Sequence, residues 1–156
     1  MDMPPCCYTG TLYHGSPYRP DAQAFGDRDN TLPRIRAGRP FWATDNHPYA
    51  VRFARGGLVS TLEVRLERVF DLTDEANLEA MLALYNADPS ITPWDDMTDG
   101  EIADSAYFLL DSPTVMRHLI EQGFDGAYLR EDLELRVFSY AILQADRVRL
   151  VTTQPA

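Results

Sequence analysis

The chain has 156 residues, of which 45% are hydrophobic and 24% are charged, and its formal net charge is −10 at pH 7. This length suits a single domain over 1–156, and the sequence has no run of about 20 apolar residues that would span a bilayer. The negative charge argues against non-specific binding to nucleic acid, because phosphate groups repel an acidic surface.

The cysteines and histidines give no sign of a metal site or a disulfide framework. Cys6 and Cys7 are adjacent, which places them poorly to bridge each other, and His14, His47 and His118 have no metal-ligand spacing. The first ten residues lack the basic and apolar regions of a signal peptide. We therefore expect a cytoplasmic protein, or one delivered into the cytoplasm of a target cell, with no metal and no membrane contact.

The first half of the chain is predicted to contain short strands and one helix. The segment "GTLYHGS" forms a strand that runs into a turn, and Phe41–Thr44 forms a second strand. Asn46 caps a helix that continues to about Arg55, where two glycines end it. Apolar and polar side chains then alternate over 58–66, which is typical of a half-buried strand.

Three helices are predicted next, and strands close the chain. The first helix covers roughly 74–87, the second begins with a capping box at Thr98, and the third has Ser112 as N-cap and Pro113 at its first position. Strands are predicted around 126–129, 136–143 and 148–151. This order indicates an α+β fold, without the regular βαβ alternation of a doubly wound sheet.

The sequence contains no Walker loop, GxGxxG or paired CxxC. The functional prediction therefore depends on three segments considered together. They are "LYHGS", "FWATDNHPYAVRFA" and "GFDGAYL…SYAILQADRVRLV". Trp42 and Phe53, on the strand and helix of the second segment, can form the walls of a slot for a flat ring. Inside the third segment lies an acidic turn with Glu131, Asp132 and Glu134.

These segments resemble the ADP-ribosyltransferase family, in the branch with a His-Tyr-Glu type of site. "LYHGS" is similar to the family's first strand, "YHGT" or "YHGS". The second segment is similar to its "IYFTDNPEVAEEYA" block, and the third to its "GYDGIIV…EYVVFDPEQIKLV" ending. The resemblance implies a split, mixed or antiparallel sheet around a cleft that binds NAD, with a helical insert over about 72–122.

The resemblance also implies roles for residues at the cleft. His14 would hydrogen-bond the adenosine ribose, and the backbone of Gly15 would hold the nicotinamide carboxamide. Trp42 stands where the family has its first tyrosine, and Phe53 stands where an aromatic residue stacks on nicotinamide.

Three further residues complete the predicted NAD contacts. Ser16 and Thr44 belong to the same segments, with less defined roles. Arg36, or one of its neighbours Arg34 and Arg39, would meet the pyrophosphate, because Arg pairs well with phosphate oxygens. This role is inferred from position, with no family motif behind it.

The activity implied by the resemblance is transfer of ADP-ribose from NAD to a macromolecular acceptor, expected to be a protein, with release of nicotinamide. Proteins of this size in the family act as toxins, effectors or phage proteins. Cleavage of the nicotinamide–ribose bond passes through an oxocarbenium-like state, as in glycoside cleavage. A carboxylate near the ribose stabilises that positive charge, and no metal or further cofactor is required beside NAD.

One position departs from the family pattern: Ser139 stands where the family's glutamate usually begins the last motif. Three alternatives are open. The carboxylate comes from the preceding turn, as Glu131, Asp132 or Glu134, where some divergent small members place an acid. Ser139 is itself the site residue, as in the related RES-type toxins that degrade NAD. The site is catalytically inactive and only binds NAD, in a protein whose acidic C-terminal half docks a basic partner.

Overall fold

The structure is a computed structural model that describes residues 7–16, 40–90, 106–132 and 136–156, with only the backbone of Asp132. The strands are β1 (Tyr8–Ser16), β2 (Phe41–Thr44), β3 (Leu58–Leu66), β4 (Val69–Asp71), β5 (Gly126–Asp132), β6 (Val137–Ile142) and β7 (Val148–Pro155). The helices are α1 (His47–Ala54), α2 (Glu75–Asn86) and α3 (Pro113–Glu121), with 3-10 helices at Ala106–Asp111 and Ala145–Arg147.

All seven strands belong to one mixed sheet, with the order β4-β5-β6-β2-β1-β3-β7. β4 and β5 run parallel, and the other described neighbours are antiparallel. β1 pairs with β3 over its whole length, whereas β1 and β2 share one register pair, Tyr13 with Thr44. The sheet therefore consists of two halves, β4-β5-β6-β2 and β1-β3-β7, that meet at one point. The predicted α+β class is confirmed.

The start of α1 follows the sequence prediction, and its end differs slightly. Asn46 is the N-cap, and its Oδ1 accepts a hydrogen bond from the Tyr49 backbone N–H at 2.9 Å. The left-handed turn that ends the helix begins at Arg55, with φ of 50°, and continues through Gly56 at φ of 81°. The chain thus leaves the helix one residue before the two glycines that were predicted to end it.

The helices after β3 agree with the prediction where they are described. Asp74 caps α2, and Ser112 caps α3 with Pro113 in the first turn. The predicted helix start at Thr98 lies outside the described residues. β4 is an additional strand that the sequence pattern did not predict.

The helices cover one face of the sheet. α2, α3 and the 3-10 helix over 106–111 pack on β5 and β6 around Leu129 and Ala141. α1 packs separately on β3, where Ala50 and Ala54 contact Val59. Because side chains alternate along a strand, Tyr140 and Ile142, on either side of Ala141, lie on the other face of the sheet. They belong there to a second buried cluster that includes Leu12, Phe41 and Leu62. None of the described helices is both long and apolar enough to cross a bilayer.

Candidate functional site

A cavity of about 390 Å³ lies where the two halves of the sheet meet. α1 forms one wall and the 3-10 helix over 106–111 contributes to another, while β1, β2 and β6 form the floor. Seven residues predicted for the site line this cavity: His14, Gly15, Trp42, Thr44, Phe53, Glu131 and Ser139. The fold therefore brings together residues from three separate segments of the sequence.

The remaining predicted residues have different positions. Ser16 is buried at the end of β1, opposite Leu58, and is not among the described lining residues. Asp132 lies in β5 opposite Val137, and its side chain is outside the description. Four candidates lie outside the described residues altogether: Arg34, Arg36, Arg39 and Glu134.

Three tyrosines line the cavity that sequence reasoning did not select: Tyr13, Tyr49 and Tyr107. The first two lie inside the motif segments, so their positions beside His14 and within the α1 block were available signals. Tyr107 comes from a segment without a recognisable motif, and only the packing of its 3-10 helix on β5 brings it to the site.

His14 is held across the junction between β1 and β2. Its Nδ1 is 2.6 Å from the carbonyl oxygen of Trp42, and its ring lies against Phe41 with ring centroids 4.3 Å apart. Because a carbonyl only accepts hydrogen bonds, Nδ1 carries a hydrogen, and whenever the ring is neutral Nε2 is its acceptor. The tautomer and the orientation of the ring are thereby fixed.

Gly15 is the point of closest approach between β1 and α1. A Cβ atom at this position would lie 2.1 Å from the carbonyl oxygen of Ala50 and 3.1 Å from the backbone nitrogen of Ala54. The absence of a side chain therefore lets α1 rest directly on the strand. This contact sets the distance between the strand and the helix that carries Tyr49 and Phe53.

Thr44 connects three elements at the floor of the cavity. Its Oγ1 donates to the carbonyl oxygen of Phe138 at 2.7 Å and accepts from the backbone N–H of Asn46 at 3.1 Å. Thr44 is 4% exposed, so both bonds are partly shielded from water. One hydroxyl thus joins the end of β2 to β6 and to the N-cap of α1.

Glu131 occupies an irregular position in β5. The register with β6 runs from Arg130 opposite Phe138 to Asp132 opposite Val137, so Glu131 is the extra residue of a β-bulge. A bulge leaves one residue unpaired and redirects its side chain. Here the Glu131 side chain lines the cavity, whereas the side chains of Asp132 and Glu134 lie outside the description.

The Glu131 carboxylate is partly desolvated and has two neutral hydrogen-bond partners. Burial raises the pKa of Glu131 above its ordinary value, while hydrogen bonds from the side chains of Ser139 and Tyr49 act in the opposite direction. Nearby, burial and then the charge of Glu131 raise the pKa of Tyr107. Among its described lining residues, the cavity therefore holds one carboxylate together with hydroxyl groups and aromatic rings.

Two aromatic residues flank the opening. Phe53 is 56% exposed, which is unusual for a large apolar side chain, and it lines the cavity from α1. Trp42 is half-buried and packs with its other side against the core under α2 and α3. This arrangement suits a flat, apolar group entering between the two elements.

No cluster of three or more His, Cys, Asp or Glu side chains that would hold a metal ion occurs within the described ranges. Comparisons of the chain with protein-family models, with curated proteins and with solved structures gave no match.

Proposed function

We propose that this protein is an NAD-dependent ADP-ribosyltransferase that releases nicotinamide and transfers ADP-ribose to a macromolecule, most simply a protein. The supporting observation is the composition of one cavity. Glu131, His14 and two exposed or half-buried aromatic residues, Trp42 and Phe53, line the same space although they are distant in sequence. The resemblance of the three sequence segments to the ADP-ribosyltransferase family supports the same function.

The nicotinamide of NAD suits the aromatic part of the cavity. Its ring is flat and carries a positive charge, so it gains from stacking on an aromatic face and from cation–π attraction. Phe53 and Trp42 offer such faces, and Glu131 adds a negative charge to the same cavity. His14, with its hydrogen on Nδ1, has Nε2 as the acceptor for a ribose hydroxyl.

The reaction breaks the bond between the nicotinamide nitrogen and C1′ of the ribose. The bonding electron pair leaves with nicotinamide, which becomes neutral, and positive charge develops on the ribose. In this proposal the Glu131 carboxylate stabilises that charge. A nucleophilic group of the acceptor then bonds to C1′ and loses its proton. Ser139 is neutral and hydrogen-bonded to Glu131, so its role is to orient the carboxylate.

The proposed role requires Glu131 to be ionised. Since burial raises the pKa of Glu131, activity is expected to fall in acid at a pH above the ordinary glutamate value of 4.5. This acidic limit gives the proposed residue a recognisable kinetic signature.

The proposal is tested by incubating the purified protein with NAD and measuring nicotinamide. Glu131→Gln should abolish the release, and His14→Ala should weaken NAD binding without unfolding the domain. Glu79→Gln is the matched control, because Glu79 is exposed on α2 and lies outside the cavity. If NAD neither raises the unfolding temperature nor yields nicotinamide, the proposed function is wrong.

The products separate the alternatives for the same cavity. Labelled protein in a mixture with candidate acceptors supports transfer, whereas free ADP-ribose alone indicates NAD hydrolysis of the kind expected from a RES-like enzyme. Stabilisation by NAD without nicotinamide release indicates a binding module. If Asp132→Asn is inactive and Glu131→Gln is still active, the catalytic carboxylate belongs to Asp132 and not to Glu131.

A further inference from the structure

We infer that Tyr49 is a positioning residue for Glu131, and that its hydroxyl and that of Ser139 hold the carboxylate from two different elements. The catalytic consequence rests on the function proposed above, whereas the hydrogen bonding itself does not. Tyr49 on α1, Ser139 on β6 and Glu131 on β5 line the same cavity, and hydrogen bonds from the two hydroxyl-bearing side chains oppose the effect of burial on the pKa of Glu131.

A series of hydrogen bonds joins the backbone of Tyr49 to the strand that carries Ser139. The Tyr49 backbone N–H donates to Asn46 Oδ1 at 2.9 Å, and the Asn46 N–H donates to Thr44 Oγ1 at 3.1 Å. Thr44 Oγ1 in turn donates to the carbonyl oxygen of Phe138 at 2.7 Å, one residue before Ser139. The two partners of the carboxylate are therefore joined to each other by backbone and buried side-chain contacts.

The position of Glu131 explains why two partners are needed. A bulged residue lacks the cross-strand pairing that restrains its neighbours, and a glutamate side chain has several rotatable bonds. One hydrogen bond leaves the carboxylate free to swing about that contact. Two donors from different sides restrict its direction, as a reaction at a single ribose carbon requires.

The chemical type of the partners also suits this role. A hydroxyl donates a hydrogen bond to the carboxylate without neutralising its charge, unlike an arginine or lysine partner. Tyr49 and Ser139 thus orient Glu131 and leave its negative charge available to the ribose. They also favour the ionised form, against the effect of burial.

Tyr49→Phe tests the inference because it removes the hydroxyl and keeps the ring. We expect kcat for nicotinamide release to fall about tenfold, with KM for NAD within about twofold, since the lost bond orients a charged group. The acidic limb of the pH–rate profile should move upward by about one pH unit. If Tyr49 had only a structural role, Tyr49→Phe would leave the acidic limb where it is in the wild type. Any loss of activity would then not be confined to kcat.

Tyr8→Phe is the matched control. The Tyr8 hydroxyl also makes a hydrogen bond, to the carbonyl oxygen of Thr11 at 2.7 Å, but it lies outside the cavity. This variant should keep the wild-type pH profile. A Tyr49→Phe enzyme with wild-type kcat and an unmoved acidic limb would overturn the inference.

A second measurement does not depend on activity. In protein labelled with ¹³C at glutamate carboxyl groups, the Glu131 signal is assigned by its absence in Glu131→Gln and titrated without NAD. Tyr49→Phe should raise the measured pKa of Glu131 above that of the wild type. If this occurs in a protein that releases no nicotinamide, the proposed function fails and the positioning contact stands. An unchanged pKa refutes the contact, whatever the activity.

Discussion

Gly15→Ala is expected to disturb both the fold and the site through a single added methyl group. The new Cβ would lie 2.1 Å from the Ala50 carbonyl oxygen, and ordinary contact begins at 3.4 Å. About 1.3 Å of additional separation is therefore needed between β1 and α1. The atoms in the way belong to the helix backbone, so no side chain can rotate aside, and the helix itself has to move.

The size of the effect follows from this geometry. Overpacking a close contact costs about 1–3 kcal/mol, and we expect the upper end because backbone atoms are involved. For a domain of this size, the upper end corresponds to a fall in the unfolding temperature of about 6–12 °C. A shift of α1 by about 1 Å also moves Tyr49 and Phe53, and a displacement of this size reduces catalytic rates by as much as about 100-fold.

Thermal unfolding followed by circular dichroism, together with nicotinamide release, measures the two effects. Gly56→Ala is the control, because a Cβ there meets no atom within 4 Å and the only cost is its left-handed φ of +81°. That cost is about 1–2 kcal/mol, without loss of activity. A Gly15→Ala protein with wild-type unfolding temperature and nicotinamide release would refute the packing argument.

Three other changes give distinct expectations. Burial raises the pKa of Glu131, so the folded state binds that proton more tightly than the unfolded chain and stability falls as pH rises. Glu131→Gln should therefore unfold at a higher temperature than wild type at neutral pH, with no such gain below pH 4.5. Hydrogen bonds from Ser90 and Ser112 hold the pKa of Asp88 far below 3.8, so its contribution is present above that value and is lost in stronger acid. Asp88→Asn should lower the unfolding temperature at neutral pH, and the difference should shrink in acid. Thr44→Val removes two partly buried hydrogen bonds and should lower the free energy of unfolding in urea by about 2 kcal/mol.

For each of these three variants, a specific result would contradict the expectation. A gain in Glu131→Gln that is the same at every pH would mean that burial of the charge is not its cause. For Asp88→Asn, a deficit that persists unchanged in strong acid would exclude the carboxylate as the stabilising group. Thr44→Ser keeps the hydroxyl and serves as the control, so equal losses in Thr44→Val and Thr44→Ser would assign the effect to packing.

Elements that are determined by their own segment could be predicted from the sequence. Asn46 and Ser112 cap their helices as expected, and the alternation over 58–66 identifies β3. β4 could not be predicted, because it has three residues and is defined by its parallel pairing with β5, more than fifty residues later. Its strand character depends on a partner that no local pattern reveals.

The candidate site was predictable only in part, for a related reason. The motif segments supplied His14 and Phe53, but three acids and one serine competed for the catalytic position. The bulge leaves Glu131 without a partner on β6, whereas Asp132 lies opposite Val137. Because a bulge is defined by the pairing of two strands, the sequence of one strand does not predict it. Tyr107 reaches the cavity through helix packing, so its involvement depends on tertiary structure alone.

The strand order has a consequence for how the protein is made. β3 pairs with β7, joining Leu58 to Pro155, and β2 pairs with β6, joining Thr44 to Ser139. Pairings this distant in sequence close slowly, and a nascent chain that has not reached residue 137 has neither partner strand. Until residue 142 is synthesised, the edge of β2 is open to unwanted pairing and the cavity lacks its lining from β6, and the edge of β3 stays open until β7 is complete at residue 155. Folding of the sheet and the appearance of any activity are therefore expected only once both β6 and β7 have been synthesised.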